Sequence, residues 1–282
     1  MVKMNMKNIN TLLSILLIFA LTGCGNKITD HGFLNLVPES TLSSLETSNV
    51  QEMLNKVEKI LNKQTKDMNV NEVLLAKAYY EDQKDIDMTI KCAERALLVC
   101  SDQNIAQKVT LQLAQTYLDQ GIFDKAEKYA QEYQSLYPGT SEAKIAAYID
   151  IQSNYLSLLD SDRDQKKTNK TLELAKNFLE KYSDQDTYLD SVNQIVNHCY
   201  NKVLDTEIGV IGTYLDKYNY YNNFSSLNAA QRRLAYIKNK VLPFIKEKSL
   251  EQEKLISDIE VTLAKASEKF NFIKSENQEQ IS

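Results

Sequence analysis

Few side chains in this sequence are placed to do covalent chemistry. Its two histidines are His31 and His198, and its four cysteines are Cys24, Cys92, Cys100 and Cys199. His198 and Cys199 are neighbours in a segment of helical periodicity, where adjacent side chains diverge by about 100°, so they do not form a nucleophile–base dyad with each other. No Gly-rich loop for a phosphate and no Cys/His set with zinc spacing occurs. Asp162 and Asp164 are paired acids of the kind that hold Ca²⁺, but the alternating oxygen ligands and closing Glu of a Ca²⁺ loop are missing. No catalytic residue, metal site or cofactor is therefore expected. What remains suits recognition. Arg232 and Arg233 are adjacent guanidinium groups that serve either as solvated helix residues or as contacts to a partner. Tyr218, Tyr220, Tyr221 and Phe224 either pack internally or fill an interface, where tyrosine buries a ring and keeps its hydroxyl wet.

The fourth cysteine, Cys24, has a different setting. Lys3 and Lys7 precede "TLLSILLIFAL", an apolar run of 11 residues that ends at Leu21-Thr22-Gly23-Cys24. Such a run is too short to span a bilayer and reads as a secretory signal over residues 1–23. The last four residues resemble the bacterial lipoprotein box, which implies that Cys24 is acylated and anchors the chain to a membrane, with the outer membrane as the default destination. One acyl chain binds only marginally, so stable anchoring calls for two or three. Loss of the signal takes two lysines and no acids, leaving 31 basic against 38 acidic residues, a balance of minus 7 that disfavours nucleic acid as a partner. Cys92, Cys100 and Cys199 then form an odd set without a disulfide framework. Cys92 and Cys100 stand about 12 Å apart along a straight helix, beyond bridging distance. They read as buried structural thiols.

The elements that position these residues are helical. With 7 Gly, 3 Pro and no Trp in 282 residues, and 43% of the chain hydrophobic, breakers are scarce and helix formers abundant. Residues 24–47 contain Pro38 and many Ser and Thr and read as a lipidated tether; a first helix within 48–69 starts where Ser48 and Gln51 have capping-box spacing. From residue 70 the chain repeats itself. "LQLAQTYLDQGIFDKAEKYAQEYQSLYPG" carries a tetratricopeptide pattern at Leu113, Ala114, Tyr117, Gly121, Phe123, Ala126, Ala130 and Pro138. At one constant offset upstream, Tyr80, Ile86, Thr89, Ala93 and Ala96 form a degenerate copy. Downstream the two helices of a repeat move by different amounts. Tyr117 aligns with Tyr155, whereas Ala130, Tyr133 and Tyr137 align with Ala175, Phe178 and Tyr182, which implies about seven extra residues in the turn between them, longer than an ordinary hairpin connection. They coincide with the charged stretch "DSDRDQKKT" at 160–168, holding Asp162, Arg163 and Asp164, either a solvated turn or a recognition loop. Tetratricopeptide units thus fill 70–183.

Residues 184–274 continue as C-terminal helical repeats. Leu189, Val192, Ile195, Val196, Val203, Ile208 and Ile211 lie at helical spacing on one long helix or a helix pair. The aromatic turn "YNYYNNF" follows, then "SLNAAQRRLAYIKNKVL", which ends at Pro243. A last helix runs from Ser249, again with capping-box spacing to Gln252, to about Lys274, and residues 275–282 fray. The fold class is all-α, a tetratricopeptide-like solenoid of four to five helical hairpins.

Taken in order, the lipoprotein box at Cys24, the repeat "LQLAQTYLDQGIFDKAEKYAQEYQSLYPGTSEAKIAAYI", the inserted "DRDQKKT", "FLEKY", and "EIGVIGTYL" before "AAQRR" resemble the BamD family, the tetratricopeptide lipoproteins of the outer-membrane β-barrel assembly machine. The resemblance runs from about residue 70 to 245, and the "DRDQ" insertion is its most specific part. It implies a non-enzymatic scaffold on the periplasmic face of the outer membrane. Its C-terminal repeats would dock a BamA-like barrel protein, its N-terminal repeats would receive unfolded barrel clients, and accessory lipoproteins would accompany it. Arg233 matches the family's arginine that pairs with an acid on the barrel protein; Glu207 and Tyr214 match the same pattern. The turn before "AAQRR", holding "YNYYNN", is longer than the family's. The alternative is another tetratricopeptide lipoprotein, such as a pilotin or a cell-envelope coordination factor.

Overall fold

The computed structural model describes residues 55–158, 165–182, 187–246 and 248–279, with side chains described as far as Phe270. The expected signal 1–23, the lipidation site Cys24, the tether 24–47, the helix start at Ser48 and the trio Asp162, Arg163 and Asp164 lie outside the described residues. Within them every regular element is helical and no strand occurs. The chain divides between Thr116 and Tyr117 into two compact units. Within the second unit one core runs from Ile151 to Ala266 and joins the helices on both sides of residue 183.

The first unit contains α1 (55–61), a 3₁₀ turn at Thr65–Asp67, α2 (Val70–Asp82), α3 (Ile86–Val99) and the start of α4 (Gln103–Asp119). Asn69 and Glu72 start α2 as a reciprocal capping box, the Asn69 side chain accepting from the Glu72 N–H at 3.0 Å and Glu72 from the Asn69 N–H at 3.1 Å. Lys63 pairs with the same carboxylate at 2.5 Å, and its hydrogen bond, then that of the Asn69 N–H, holds the Glu72 acid below its usual range. Helices α2 and α3 form a hairpin that buries Val73, Ala76, Tyr79, Cys92, Ala93 and Ala96.

The second unit continues with α5 (Phe123–Leu136), α6 (Ala143–Leu156), α7 (Lys166–Lys181), α8 (Leu189–Tyr221), α9 (Phe224–Tyr236) and α10 (Leu250–Glu279), each packed on the next in sequence. Between α9 and α10 the chain passes through a π-helical turn, Ile237–Val241, and a 3₁₀ turn, Leu242–Phe244, holding Pro243. The predicted long helix or helix pair is one helix, α8. The last helix runs past Lys274 to Glu279, in keeping with the helix-favouring Glu and Gln of "SENQEQ".

The repeat register is visible in how the helices end. Helix α2 closes with a Schellman motif in which the Asp85 N–H donates to the Tyr80 carbonyl at 2.9 Å; α4 closes identically, from Ile122 to Tyr117 at 2.9 Å. The left-handed residue of this motif is Gly121 (φ 71°) in one copy and Lys84 (φ 58°) in the other, so only one copy has the residue without a steric penalty there. The second helix of each repeat ends alike too: the N–H groups of Cys100, Tyr137 and Tyr182 donate to the carbonyls of Ala96, Tyr133 and Phe178 at 2.8–2.9 Å. Tyr133 stacks obliquely on Tyr137 and Phe178 on Tyr182, with centroids 5.2 and 4.8 Å apart. Ala130 and Ala175 precede them and are fully buried. Helix α6 ends at Leu156 and α7 begins at Lys166, whereas α4 ends at Asp119 and α5 begins at Phe123, the wider spacing that the unequal offsets predict.

"YNYYNN" is not a long turn. Tyr218 to Tyr221 extend α8, and the connection is only Asn222 and Asn223. Asn222 takes the left-handed conformation (φ 52°) that ends α8, and Asn223 caps α9 by accepting from the Ser225 and Ser226 N–H groups at 3.0 and 3.3 Å. The extra residues lengthened the helix.

Candidate partner-binding site

Arg233 and Glu207, two of the residues expected to contact a partner, meet each other. Glu207 lies on α8 among the buried Val203, Leu204 and Ile211, and its side chain is 11% exposed. Arg233 projects from α9, and its Nη1 donates to both Glu207 oxygens, at 2.8 and 3.1 Å. A carboxylate this buried requires a cation or several donors, so the arginine satisfies it. Both bonds come from one guanidinium nitrogen. The Nη2 and Nε donors take no part in this pair, the side chain is 45% exposed, and together they make the fork that matches a second carboxylate. Glu207 thus anchors Arg233 through one nitrogen and leaves the fork out of the pair.

Tyr214 sits two helical turns beyond Glu207 on α8, half-buried against the core, with the Lys217 ammonium 5.9 Å from its ring centroid. Arg232 is exposed on α9 and stands apart from the pair. Of the aromatic group, Tyr218 is buried and packs on Phe224 (5.9 Å), which reaches Phe270 of α10 (4.5 Å), whereas Tyr220 and Tyr221 are 81% and 71% exposed. The group therefore divides between core and surface. Asp162, Arg163 and Asp164 lie outside the described residues.

Two of the thiols are poor nucleophiles. Burial pushes Cys92 up to about 11 and Cys199 up to about 12. Cys100, expected to be buried, is only half-buried, because it follows the last residue of α3; its Sγ lies 3.5 Å from the Asp102 carbonyl oxygen. His198 is exposed and meets Tyr155 edge-on at 5.4 Å. Sequence reasoning missed the buried acid Asp150 on α6, whose carboxylate burial pushes up to about 6. Its signal was weak, a single acid among the apolar residues of "AAYIDIQSNYL".

A succession of helical hairpins, one of them carrying an arginine anchored on a buried acid, defines the class: an all-α, tetratricopeptide-like protein. Residues 76–239 match the sequence profile of the YfiO family, described as outer membrane lipoprotein, and the chain belongs to that family. No curated protein matches it. No helix among the described residues is long and apolar enough to cross a membrane.

Proposed function

We propose that this protein is a non-enzymatic scaffold of outer-membrane β-barrel assembly of the BamD type. It is anchored through acylated Cys24 at the periplasmic face and docks a BamA-like barrel protein through Arg233. Unfolded barrel clients and accessory lipoproteins are its other partners. The observation that supports this best is the Arg233–Glu207 pair, because the buried acid fixes the guanidinium while its second edge stays available for a carboxylate on the partner. Membership of an outer membrane lipoprotein family points the same way.

The geometry dictates which substitution tests the role. Arg233→Glu sets an acid against the buried Glu207 and confounds docking with folding. Arg233→Lys keeps a cation for Glu207 but removes the planar fork. Affinity purification after mild detergent extraction is expected to recover a BamA-like barrel with the wild-type chain and about tenfold less with Arg233→Lys, at an unchanged melting temperature. Equal recovery with the lysine variant rejects the role of Arg233. Recovery of a secretin without a BamA-like barrel rejects the assembly reading in favour of a pilotin.

A further inference from the structure

We propose that a polar cleft along α8 binds an extended polypeptide segment by its backbone, through a row of asparagine amides at Asn193, Asn197 and Asn201. The cleft has a volume of about 670 Å³ and lies between this face of α8, Tyr155 on α6 and Lys246, which precedes α10. It is a different surface from the Arg233–Glu207 pair and stands without the assembly reading.

Three asparagines spaced four apart fall on one helical face, where asparagine is a poor helix former. None of them caps the helix, which starts at Leu189 and ends at Tyr221. Each amide is fixed by one bond. Asn193 Nδ2 donates to the Leu189 carbonyl at 2.8 Å and Asn201 Nδ2 to the Asn197 carbonyl at 2.9 Å. Asn197 is held the opposite way, its Oδ1 accepting from the Lys246 N–H at 3.0 Å. These bonds set the amide orientations. Asn193 and Asn201 therefore keep Oδ1 as an available acceptor, while Asn197 keeps both Nδ2 donors. The row offers acceptor, donor, acceptor.

Four helical residues rise about 6 Å. An extended chain presents N–H and C=O groups along one edge with a repeat of two residues, about 6.6–6.8 Å. Over three amides the two repeats stay within about 2 Å, which side-chain torsions absorb. Asn193 and Asn201 would accept backbone N–H groups and Asn197 would donate to a carbonyl between them. Tyr155, met edge-on by His198, forms an aromatic wall for passing side chains. A sugar could also meet amides and an aromatic edge, but it has no donor–acceptor repeat of this period.

The test titrates the full chain, isotope-labelled to report side-chain amides, with three probes. The first is a neutral, acetylated and amidated peptide of about ten residues rich in Thr and Gln, extended enough to span the row. The second is the same peptide N-methylated at alternate residues, and the third is chitotetraose. The amide resonances of Asn193, Asn197 and Asn201 are expected to shift saturably with the first peptide, with about tenfold weaker binding of the methylated peptide and no response to the sugar. Asn197→Asp keeps the acceptor for Lys246 but deletes the donor, and is expected to weaken peptide binding about tenfold. No response to the first peptide, equal binding of its methylated form, or a response to chitotetraose overturns the proposal. So does undiminished binding by a folded Asn197→Asp chain. If that variant melts early, the two peptides compared on the wild-type chain still decide.

Discussion

Replacing Asp150 with Asn is expected to stabilise the second unit at neutral pH and to lose that advantage in acid. Asp150 is 2% exposed. Its carboxylate accepts from Asn154 Nδ2 at 2.9 Å, Gln131 Nε2 at 3.3 Å and Gln134 Nε2 at 3.4 Å, and among the described residues it makes no ion pair. Lys170, whose charge favours the carboxylate, is engaged by Glu127, whose own charge opposes it. Burial dominates and moves the acid from 3.8 to about 6. Between these values the folded chain holds a proton that the unfolded chain has released, so this group's contribution to stability falls as pH rises. Its cost is absent below about pH 3.8, grows through about pH 6 and is complete above about pH 7, where the shift corresponds to about 3 kcal/mol. The Asp150→Asn chain would carry no such dependence, and its new amide supplies a donor beside Asn154 Oδ1, which is buried without a partner. Urea unfolding of both chains, followed by tyrosine near-ultraviolet dichroism, should show the Asp150→Asn advantage to be about 2–3 kcal/mol larger at about pH 7.5 than at about pH 3.5. A difference between the chains that is the same at both pH values, within about 0.5 kcal/mol, refutes the reasoning.

Gly121→Ala should destabilise by about 1 kcal/mol through backbone conformation alone, since an added Cβ would meet only Phe123 at 4.0 Å; Lys84→Gly, at the matching position, should gain about 0.5–1 kcal/mol. Thermal melts of the two single variants check both signs. Asn223→Ala removes the acceptor for two N–H groups at the start of α9 and should cost about 1 kcal/mol in the same assay. Alkylation at mildly alkaline pH should reach the half-buried Cys100 before the buried Cys92 and Cys199, as mass spectrometry of peptides would report; early modification of Cys199 contradicts its burial.

The repeat units were legible because helix packing constrains residue size at fixed intervals. Ala130 and Ala175 are fully buried in equivalent places, and the aromatic pairs that follow them have the same geometry. The unequal offsets located the wider spacing between Leu156 and Lys166 for the same reason, since each helix keeps its own register whatever the length between them. "YNYYNN" was misread because tyrosine and asparagine carry weak local preferences. In the structure Tyr218 is buried against Phe224, and that packing extends α8 until Asn222 can take a left-handed conformation. The degenerate repeat hid Lys84, since periodicity records side-chain size and says nothing of backbone sign. The pairing of Arg233 with Glu207 was also out of reach: each matched a pattern separately, and only the crossing of α8 and α9 brings them within 2.8 Å.

That crossing changes how the two residues should be understood. An isolated surface arginine loses side-chain freedom when it docks, about 0.5–1.5 kcal/mol for a side chain of this kind. Arg233 is already tied to Glu207 through Nη1, so part of that ordering is completed by folding. On the proposed reading, Glu207 contributes to docking without touching the partner. Glu207→Gln, which retains an acceptor but removes the charge, should weaken recovery of the barrel less than Arg233→Lys does, because the fork survives and only its anchoring loosens. The opposite order, with Glu207→Gln the more damaging at equal thermal stability, would mean that the partner reads the acid and that the arginine serves only to keep that acid folded.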